Sequence, residues 1–462
     1  MPATFIESLG RFTRSPGFKF FLVLLLVLLL MIPLGLIWFL VTERETRANS
    51  VTAEVAQLWG QDQHVSGPYL IVPYSVKVVI TQGDKQVEQM QERRAVFLPE
   101  SLNVNGEART EIRHRAIYNV TVYSGRLAME GRFASPDISL ADADIASVRW
   151  RDAVLAMAIS DVSGLTEGAT LDLGGRQIPF EPSMGLPYGT MTGVHARIAG
   201  SDSADQAPAA FDFRFTLSLH GSSSLDFAPV GRETRVALTS NWPHPSFSGA
   251  FLPGTTDIRA DGFSASWRVP HLARSVPQAW SLSGPSAQYS LNQFGPYQFG
   301  VRFYVPVDYY DLVNRAAKYG IMFLAAAFIA VFVLELTSGK RVHPVQYVLV
   351  GLAMILFYAL LLSLAEHVGF PVAYLIASAA TGGMLSLYVG YALSSALKGA
   401  IMLCVFLILY GLLYLILRLE DYALLAGAVA GFVMLTVTMF TTLRVNWSGD
   451  EREAFGGRQP AE

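Results

Sequence analysis

The chain has 462 residues, a net charge of −3 and a mean hydropathy of +0.36, and only 15% of its residues are charged. This composition is too apolar for a purely soluble protein, and the chain lacks the basic field that attracts nucleic acid. Cys404 is the single cysteine, which excludes both an intramolecular disulfide and a cysteine-based zinc site. The length allows two or three domains.

The first predicted element is a membrane helix over residues 20–41, preceded by a short segment at 1–19. Its 22 residues rise about 1.5 Å each and reach roughly 33 Å, enough to cross the hydrocarbon core of a bilayer. The apolar run ends in the charged sequence TERE at 42–45 rather than at a small-residue cleavage site, which predicts an uncleaved anchor. We expect the helix to continue over 43–62.

Residues 42–318 are expected to be β-rich and to lie outside the membrane. The sequence FDFRFTLSLH at 211–220 alternates between apolar and other residues, which is typical of a half-buried strand. The small, polar stretch IAGSDSADQAPAA at 198–210 has the composition of a linker. The sequence therefore predicts two β subdomains, at about 63–197 and 211–310.

Five more membrane helices are predicted, followed by a tail at 443–462; they lie at about 319–336, 347–364, 371–391, 400–417 and 423–442. Their short connections require neighbouring helices to run antiparallel. Basic residues favour the cytoplasmic side of a membrane. A cytoplasmic N-terminus places seven of them on that side: Arg11, Arg14, Lys19, Lys340, Arg341, Lys398 and Arg444. We therefore expect both termini in the cytoplasm and residues 42–318 on the opposite side.

One loop of the β-rich region combines aromatic residues and prolines, in the sequence TSNWPHPSFSGAFLP at 239–253. Prolines on both sides of its histidine hold the ring on rigid, extended backbone. No second ligand follows at metal-binding spacing, and the chain has no motif of a nucleotide-binding or serine-hydrolase site. We therefore expect no enzymatic activity, cofactor or metal. The candidate residues, in either a structural loop or a partner-binding surface, are Asn241, Trp242, Pro243, His244, Pro245 and Phe247.

Three polar residues lie near the ends of predicted membrane helices: Glu335, Glu366 and His367. Charged groups deep in lipid are costly and often functional, whereas groups near the interface act as anchors that water can reach. Both interpretations remain open. Glu335 is expected near the cytoplasmic side and the other two near the opposite side, so the three cannot form one proton relay.

Two stretches of this sequence resemble the CreD family of bacterial inner-membrane proteins. One is the loop at 239–253, and the other is KYGIMFLAAAFIAVFVLELTSGKRVHPVQYVLVGLAMILFYALLLSLAEHVGF at 318–370. The layout of one N-terminal span, a long periplasmic region and a C-terminal helix cluster is also similar. The resemblance implies a Gram-negative envelope protein of the CreBC two-component regulon, associated with envelope integrity and with altered sensitivity to colicins and β-lactams. It implies no catalytic residues.

The leading hypothesis is a non-enzymatic envelope protein whose β region binds a periplasmic or envelope protein while its helices hold it in the lipid bilayer. A first alternative is a transporter for a small solute or a lipid, which would need broken helices and polar sites at mid-membrane. Only Pro371 and Gly382-Gly383 hint at such a break. A second alternative, a periplasmic hydrolase, would need a cleft in which His244 meets a carboxylate.

Overall fold

The structure is a computed structural model that describes residues 16–82, 85–142, 145–186, 191–198, 206–283, 289–303, 309–338, 340, 342–419 and 422–443. The chain divides into two compact units. Residues 1–48 and 307–462 form the helical unit, and residues 49–306 form the β unit.

Six α-helices are described: α1 (Pro16–Trp59), α2 (Tyr309–Leu336), α3 (Pro344–Val368), α4 (Phe370–Ala392), α5 (Ala396–Arg418) and α6 (Ala423–Thr442). Each predicted membrane segment lies within one of these helices. Helix α2 begins ten residues earlier than predicted, at Tyr309 rather than at 319. The predicted continuation of the first helix beyond 41 is also confirmed, and it ends at Trp59.

Five of the helices, α1 to α5, are long and apolar enough to cross a membrane, and α6 has a shorter apolar stretch at Leu425–Thr441. In α1 many large apolar side chains are exposed, as expected for a surface that faces lipid rather than water. Local signals fix the helix starts. His343 and Gln346 form a capping box at α3, and the Ser395 side chain accepts the Lys398 N–H at the start of α5.

Eighteen strands are described in the β unit. The first nine are β1 (Gln63–Gln82), β2 (Lys85–Phe97), β3 (Ser101–Arg115), β4 (Tyr118–Phe133), β5 (Ile145–Val148), β6 (Val154–Ile159), β7 (Thr170–Leu173), β8 (Arg176–Pro179) and β9 (Glu181–Pro182). The others are β10 (Gly193–Arg197), β11 (Phe211–Ser222), β12 (Ser224–Phe227), β13 (Glu233–Ser240), β14 (Pro245–Gly249), β15 (Thr255–Arg259), β16 (Gly262–Pro270), β17 (Ala279–Ser281) and β18 (Phe299–Phe303).

These strands form two sheets. Sheet A has ten strands, with the central order β14-β18-β12-β1-β6-β10-β9, while β2 and β5 also pair with β1 and β17 pairs with β2. Sheet B has eight strands in the order β15-β16-β13-β3-β4-β11-β7-β8. The alternation predicted at 211–220 is confirmed, because Phe213, Phe215, Leu217 and Leu219 are buried along β11. One continuous apolar cluster contains side chains from both sheets.

The predicted division into subdomains at about 63–197 and 211–310 does not describe the strand pairing. In sheet A, β1 pairs in parallel with β12, and in sheet B, β4 pairs along its length with β11. Strands from both sides of the expected linker therefore complete each other's sheets, and both halves share one core. A composition typical of a linker marks an exposed connection, but it does not show which strands pair across it. Residues 199–205 of that stretch lie outside the described residues.

Candidate functional site

The loop singled out in the sequence connects the two sheets. Residues 241–244 leave β13 of sheet B and lead into β14 of sheet A. At the exit, the Asn241 Oδ1 accepts hydrogen bonds from the Thr110 backbone N (2.7 Å) and from its Oγ1 (2.9 Å). The Asn241 Nδ2 donates to the Thr110 carbonyl oxygen (3.1 Å). The carboxamide thus continues the β13–β3 ladder one step beyond the end of β13, in the manner of a peptide group.

The aromatic residues of this connection pack onto the core. The Phe247 ring lies edge-on to the rings of Phe263 and Trp267, both at a centroid distance of 5.8 Å. Phe251 contacts Phe299 in the same way at 5.9 Å. Trp242 is half-buried and also packs against the cluster. Because Phe247 lies in sheet A and Phe263 and Trp267 lie in sheet B, these contacts join the faces of the two sheets.

His244 is exposed, between Pro243 and Pro245, which are both half-buried. Among the described residues, none of the ion pairs within 4.0 Å involves His244. The structure therefore does not bring this imidazole together with an acid that could orient it for proton transfer.

Glu335 is only 5% exposed and lies in a network at one end of the helical unit. Its carboxylate pairs with the Lys19 ammonium of α1 and accepts hydrogen bonds from the Val342 N (2.8 Å) and the Tyr347 hydroxyl (2.9 Å). Lys19 also donates to the Val342 carbonyl oxygen (2.8 Å). The sequence placed Glu335 near an interface where water could reach it, whereas the structure surrounds it with partners from α1, α3 and the connection before α3. A buried charge is tolerated when it is paired and hydrogen-bonded in this way.

Glu366 and His367 lie at the opposite end of α3. Glu366 is half-buried and accepts a hydrogen bond from the Tyr310 hydroxyl (3.2 Å), and His367 is exposed. Glu366 follows Tyr347, the residue that contacts Glu335, by 19 positions in the same helix. That spacing corresponds to about 28 Å along the helix axis. Glu335 and the Glu366-His367 pair are thus separate sites, as the sequence predicted.

Sequence reasoning missed a titratable group at the start of β1. The His64 Nδ1 lies 3.1 Å from the Asp226 Oδ2, on the neighbouring parallel strand β12. The Asp226 carboxylate beside the ring raises the pKa of His64 above its ordinary value, although burial of the ring acts in the opposite direction. Burial raises the pKa of the nearby Asp62 carboxyl, opposed by a hydrogen bond with Ser223. A separation of 162 positions between His64 and Asp226 left no local signal from which to find this pair.

The last turn of α1, within the β unit, is held by a second cluster. The Trp59 ring stacks on His220 at a centroid distance of 3.8 Å, and the Arg113 guanidinium lies 3.6 Å from the Trp59 ring. The Trp59 Nε1 donates to the Tyr123 carbonyl oxygen (3.2 Å). Gly60 follows with φ +148, and a Cβ there would lie 2.5 Å from the His220 carbonyl oxygen. Only glycine fits this close approach without strain.

Comparison with known proteins identifies the family. The family model described as "Inner membrane protein CreD" matches residues 15–448. The chain belongs to the CreD family. It is 32% identical over 422 residues to "Inner membrane protein CreD" of Escherichia coli (strain K12), and the match covers 91% of each chain. The resemblance seen in two stretches of the sequence thus extends over nearly the whole chain.

The family descriptions name an inner-membrane protein and no reaction. In the described part of this CreD-family chain, no group of three or more His, Cys, Asp or Glu side chains is arranged to hold a metal ion. The contacts of the candidate loop are structural. The Asn241 side chain forms hydrogen bonds with the Thr110 backbone, and aromatic rings pack between the two sheets. The His64–Asp226 pair and the Trp59 stack are two polar clusters that the sequence did not reveal.

Proposed function

We propose that this CreD-family protein contributes to the integrity of the cell envelope without catalysing a reaction. In this proposal the β unit binds a protein of the envelope, and the helical unit anchors it in the inner membrane. Residues 42–318 would lie in the periplasm and both termini in the cytoplasm, which the distribution of Lys and Arg along the sequence supports.

One surface of the β unit carries this proposal, namely the outer part of the β1–β2 hairpin. We call residues 77–82 and 85–92 the β-arm. In this part the two strands pair only with each other among the described strands, because β5 pairs with β1 only at Tyr74–Val76 and β17 pairs with β2 only at Ala279–Ser281 with 95–97. The β-arm therefore has two open strand edges, which can add a strand of another protein.

Apolar side chains on the β-arm are exposed. Val79 is 56% exposed, Val87 is 45% exposed and Met90 is 53% exposed. All described side chains from 86 to 92 are exposed as well. Removing valine and methionine side chains from water lowers the free energy of the complex. The open edges supply backbone hydrogen-bond donors and acceptors for a partner strand. This combination supports a partner-binding role for the β-arm.

We assign a structural role to the loop that contains Asn241, Trp242, Pro243, His244, Pro245 and Phe247. The three hydrogen bonds of Asn241 and the packing of Phe247 support this assignment. Docking through Trp242 would require a more exposed ring than the half-buried one observed. We assign Glu335 likewise to the structure of the helical unit, because each oxygen of its carboxylate has a partner. Glu366 and His367 remain candidate interfacial anchors.

The two alternatives have less support. The described helices α2 to α5 run without a break, so Pro371 and Gly382-Gly383 do not mark the interrupted helices of a transporter. Pro371 is instead in the first turn of α4, where proline fits without disturbing a helix. A hydrolase centred on His244 would need an orienting acid, and the described ion pairs supply none.

The test replaces the apolar side chains of the β-arm and measures envelope integrity. Changing Val79, Val87 and Met90 together to threonine keeps strand propensity and removes most of the apolar contact. In a Gram-negative strain that lacks its own copy, the triple variant should be inserted normally and fail to restore resistance to β-lactams and to detergent. Site-specific photo-crosslinking from position 89 should capture an envelope protein with the unmodified chain and lose it with the variant.

A matched control replaces apolar residues that are equally exposed elsewhere. Ile112 is 50% exposed on β3 and Ile258 is 52% exposed on β15, and both can be changed to threonine. This double variant should restore envelope integrity fully. The proposal fails if the β-arm variant complements as well as the control does, or if both lose function to the same extent.

A further inference from the structure

A lateral groove lies between α4 and α5 of the helical unit. Its volume is about 460 Å³, and it runs along both helices from Pro371 and Tyr414 at one end to Gly383 and Leu403 at the other. The groove exists because side chains are missing. A Cβ added at Gly383 or at Gly411 would have no atom within 4 Å.

The wall of the groove is apolar even where it contains hydroxyl groups. The Tyr374 hydroxyl donates to the Tyr410 carbonyl oxygen (2.6 Å), and Thr381 donates to the Tyr410 hydroxyl (3.1 Å). Thr381 and Tyr374 are buried. Because these hydroxyls are used inside the unit, the groove presents mainly ring faces and aliphatic carbon to its occupant. Such a wall suits hydrocarbon.

A cation lies at the mouth of the groove. Arg418, the last residue of α5, donates from Nε (3.2 Å) and Nη2 (2.9 Å) to the hydroxyl of Tyr414, which lines the groove. The guanidinium carbon also lies 5.4 Å from the centroid of the Tyr414 ring. Arg418 is exposed, and no carboxylate of the described residues lies within 4.0 Å of it. The guanidinium N–H groups of Arg418 that do not bind Tyr414 can donate to an anion.

We propose that the groove binds one phospholipid, with an acyl chain along α4 and α5 and the phosphate on Arg418. The charge at the mouth complements a phosphate, and the apolar wall complements an acyl chain. A helix from a second copy is a poorer fit, since a helix with its side chains is about 10 Å across. The groove, at about 460 Å³, is narrower than such a helix along the same length. Arg418 can therefore select a phosphate-bearing lipid, while the groove accepts the chain by its apolar character.

The test places the full chain in nanodiscs that contain phosphatidylethanolamine and phosphatidylglycerol, each with a diazirine in one acyl chain. After illumination, mass spectrometry should locate most of the label on α4 and α5. Gly383→Leu and Gly411→Leu fill the groove and should each reduce labelling there about fivefold or more. Gly35→Leu is the matched control, because Gly35 is also a helical glycine with open space around it. It should leave labelling of the groove unchanged.

A second variant separates the phosphate from the acyl chain. Arg418→Gln should reduce capture of the phospholipid probe roughly tenfold, as expected for the loss of a charge-assisted hydrogen bond. It should not reduce capture of a diacylglycerol probe that lacks the phosphate. Lys318→Gln, at an exposed cation of α2, is the control and should change neither.

Four outcomes would overturn the proposal: even labelling of all six helices, glycine variants that match Gly35→Leu, equal losses of both probes in Arg418→Gln, or crosslinks that join two copies of the chain across α4 and α5. Size-exclusion chromatography establishes that each variant is folded. If the glycine variants do not fold, the comparison of the two probes in Arg418→Gln decides the question alone.

Discussion

Replacement of Asn241 by alanine tests the structural role of the loop between the sheets most directly. The carboxamide makes three hydrogen bonds to Thr110, which is only 7% exposed. A typical intramolecular hydrogen bond contributes about 1 kcal/mol net, so their loss would cost up to about 3 kcal/mol. Because position 241 is exposed, water can replace some of the hydrogen bonds that Thr110 loses. We therefore expect Asn241→Ala to destabilise the β unit by about 2 kcal/mol.

Pulse proteolysis of the full chain in detergent, over a series of urea concentrations, would measure this change. For a unit of this size the expected loss corresponds to a midpoint lower by roughly 0.7–1 M urea. Asn241→Asp keeps the acceptor and loses the donor, so it should lie between alanine and the unmodified chain. Asn105→Ala, at an exposed position on β3, is the matched control and should shift the midpoint very little. If Asn241→Ala shifts the urea midpoint no more than Asn105→Ala does, the hydrogen bonds between Asn241 and Thr110 do not stabilise the fold.

Three further predictions concern other parts of the chain. The raised pKa of His64 means that its protonated form stabilises the fold below its ordinary pKa of 6.5 and that this contribution is lost as pH rises through the raised value. His64→Gln should flatten the decline in β-unit stability as pH rises above the ordinary histidine pKa of 6.5, while parallel profiles would contradict this. Glu335→Ala removes the buried carboxylate and leaves the Lys19 ammonium, the Val342 N–H and the Tyr347 hydroxyl without their acceptor. It should cost about 3 kcal/mol in the stability of the helical unit; an unchanged melting curve would refute it. Reporter fusions at positions 200 and 462 should lie on opposite sides of the membrane. If both reporters give the same reading, the proposed orientation is wrong.

Local patterns in the sequence were enough to predict the helices and the strand at 211–220. A membrane helix is a continuous run of apolar residues, so the segments at 20–41 and 371–391 could be recognised directly. In a half-buried strand, apolar and polar residues alternate along the sequence, as at 211–220.

Pairing between distant segments could not be predicted in this way. The parallel register of β1 with β12 depends on which strand edges remain available after the hairpins have formed, and a single sequence does not show this. For that reason His64 looked like an isolated histidine and Glu335 like an interfacial one, although both have charged partners far away in the sequence. The candidate loop was located by its unusual composition. Its hydrogen bonds to Thr110 required the structure.

The interleaved sheets have a consequence for biosynthesis. The start of β1, Gln63–Val65, must wait for β12, about 160 residues later in the chain, before this parallel pair of sheet A can form. At roughly 5–20 residues per second, that delay is about 8–30 s. The edge of β12 is covered only when β18 is made, just before α2 begins. The first half of the β unit can form its own hairpins during synthesis, but neither sheet is complete until β11, β12 and β13 have been made. The strand edges that these strands will cover stay open throughout this period. Holdase chaperones and quality-control proteases would meet this protein as a nascent chain far more readily than as a folded one.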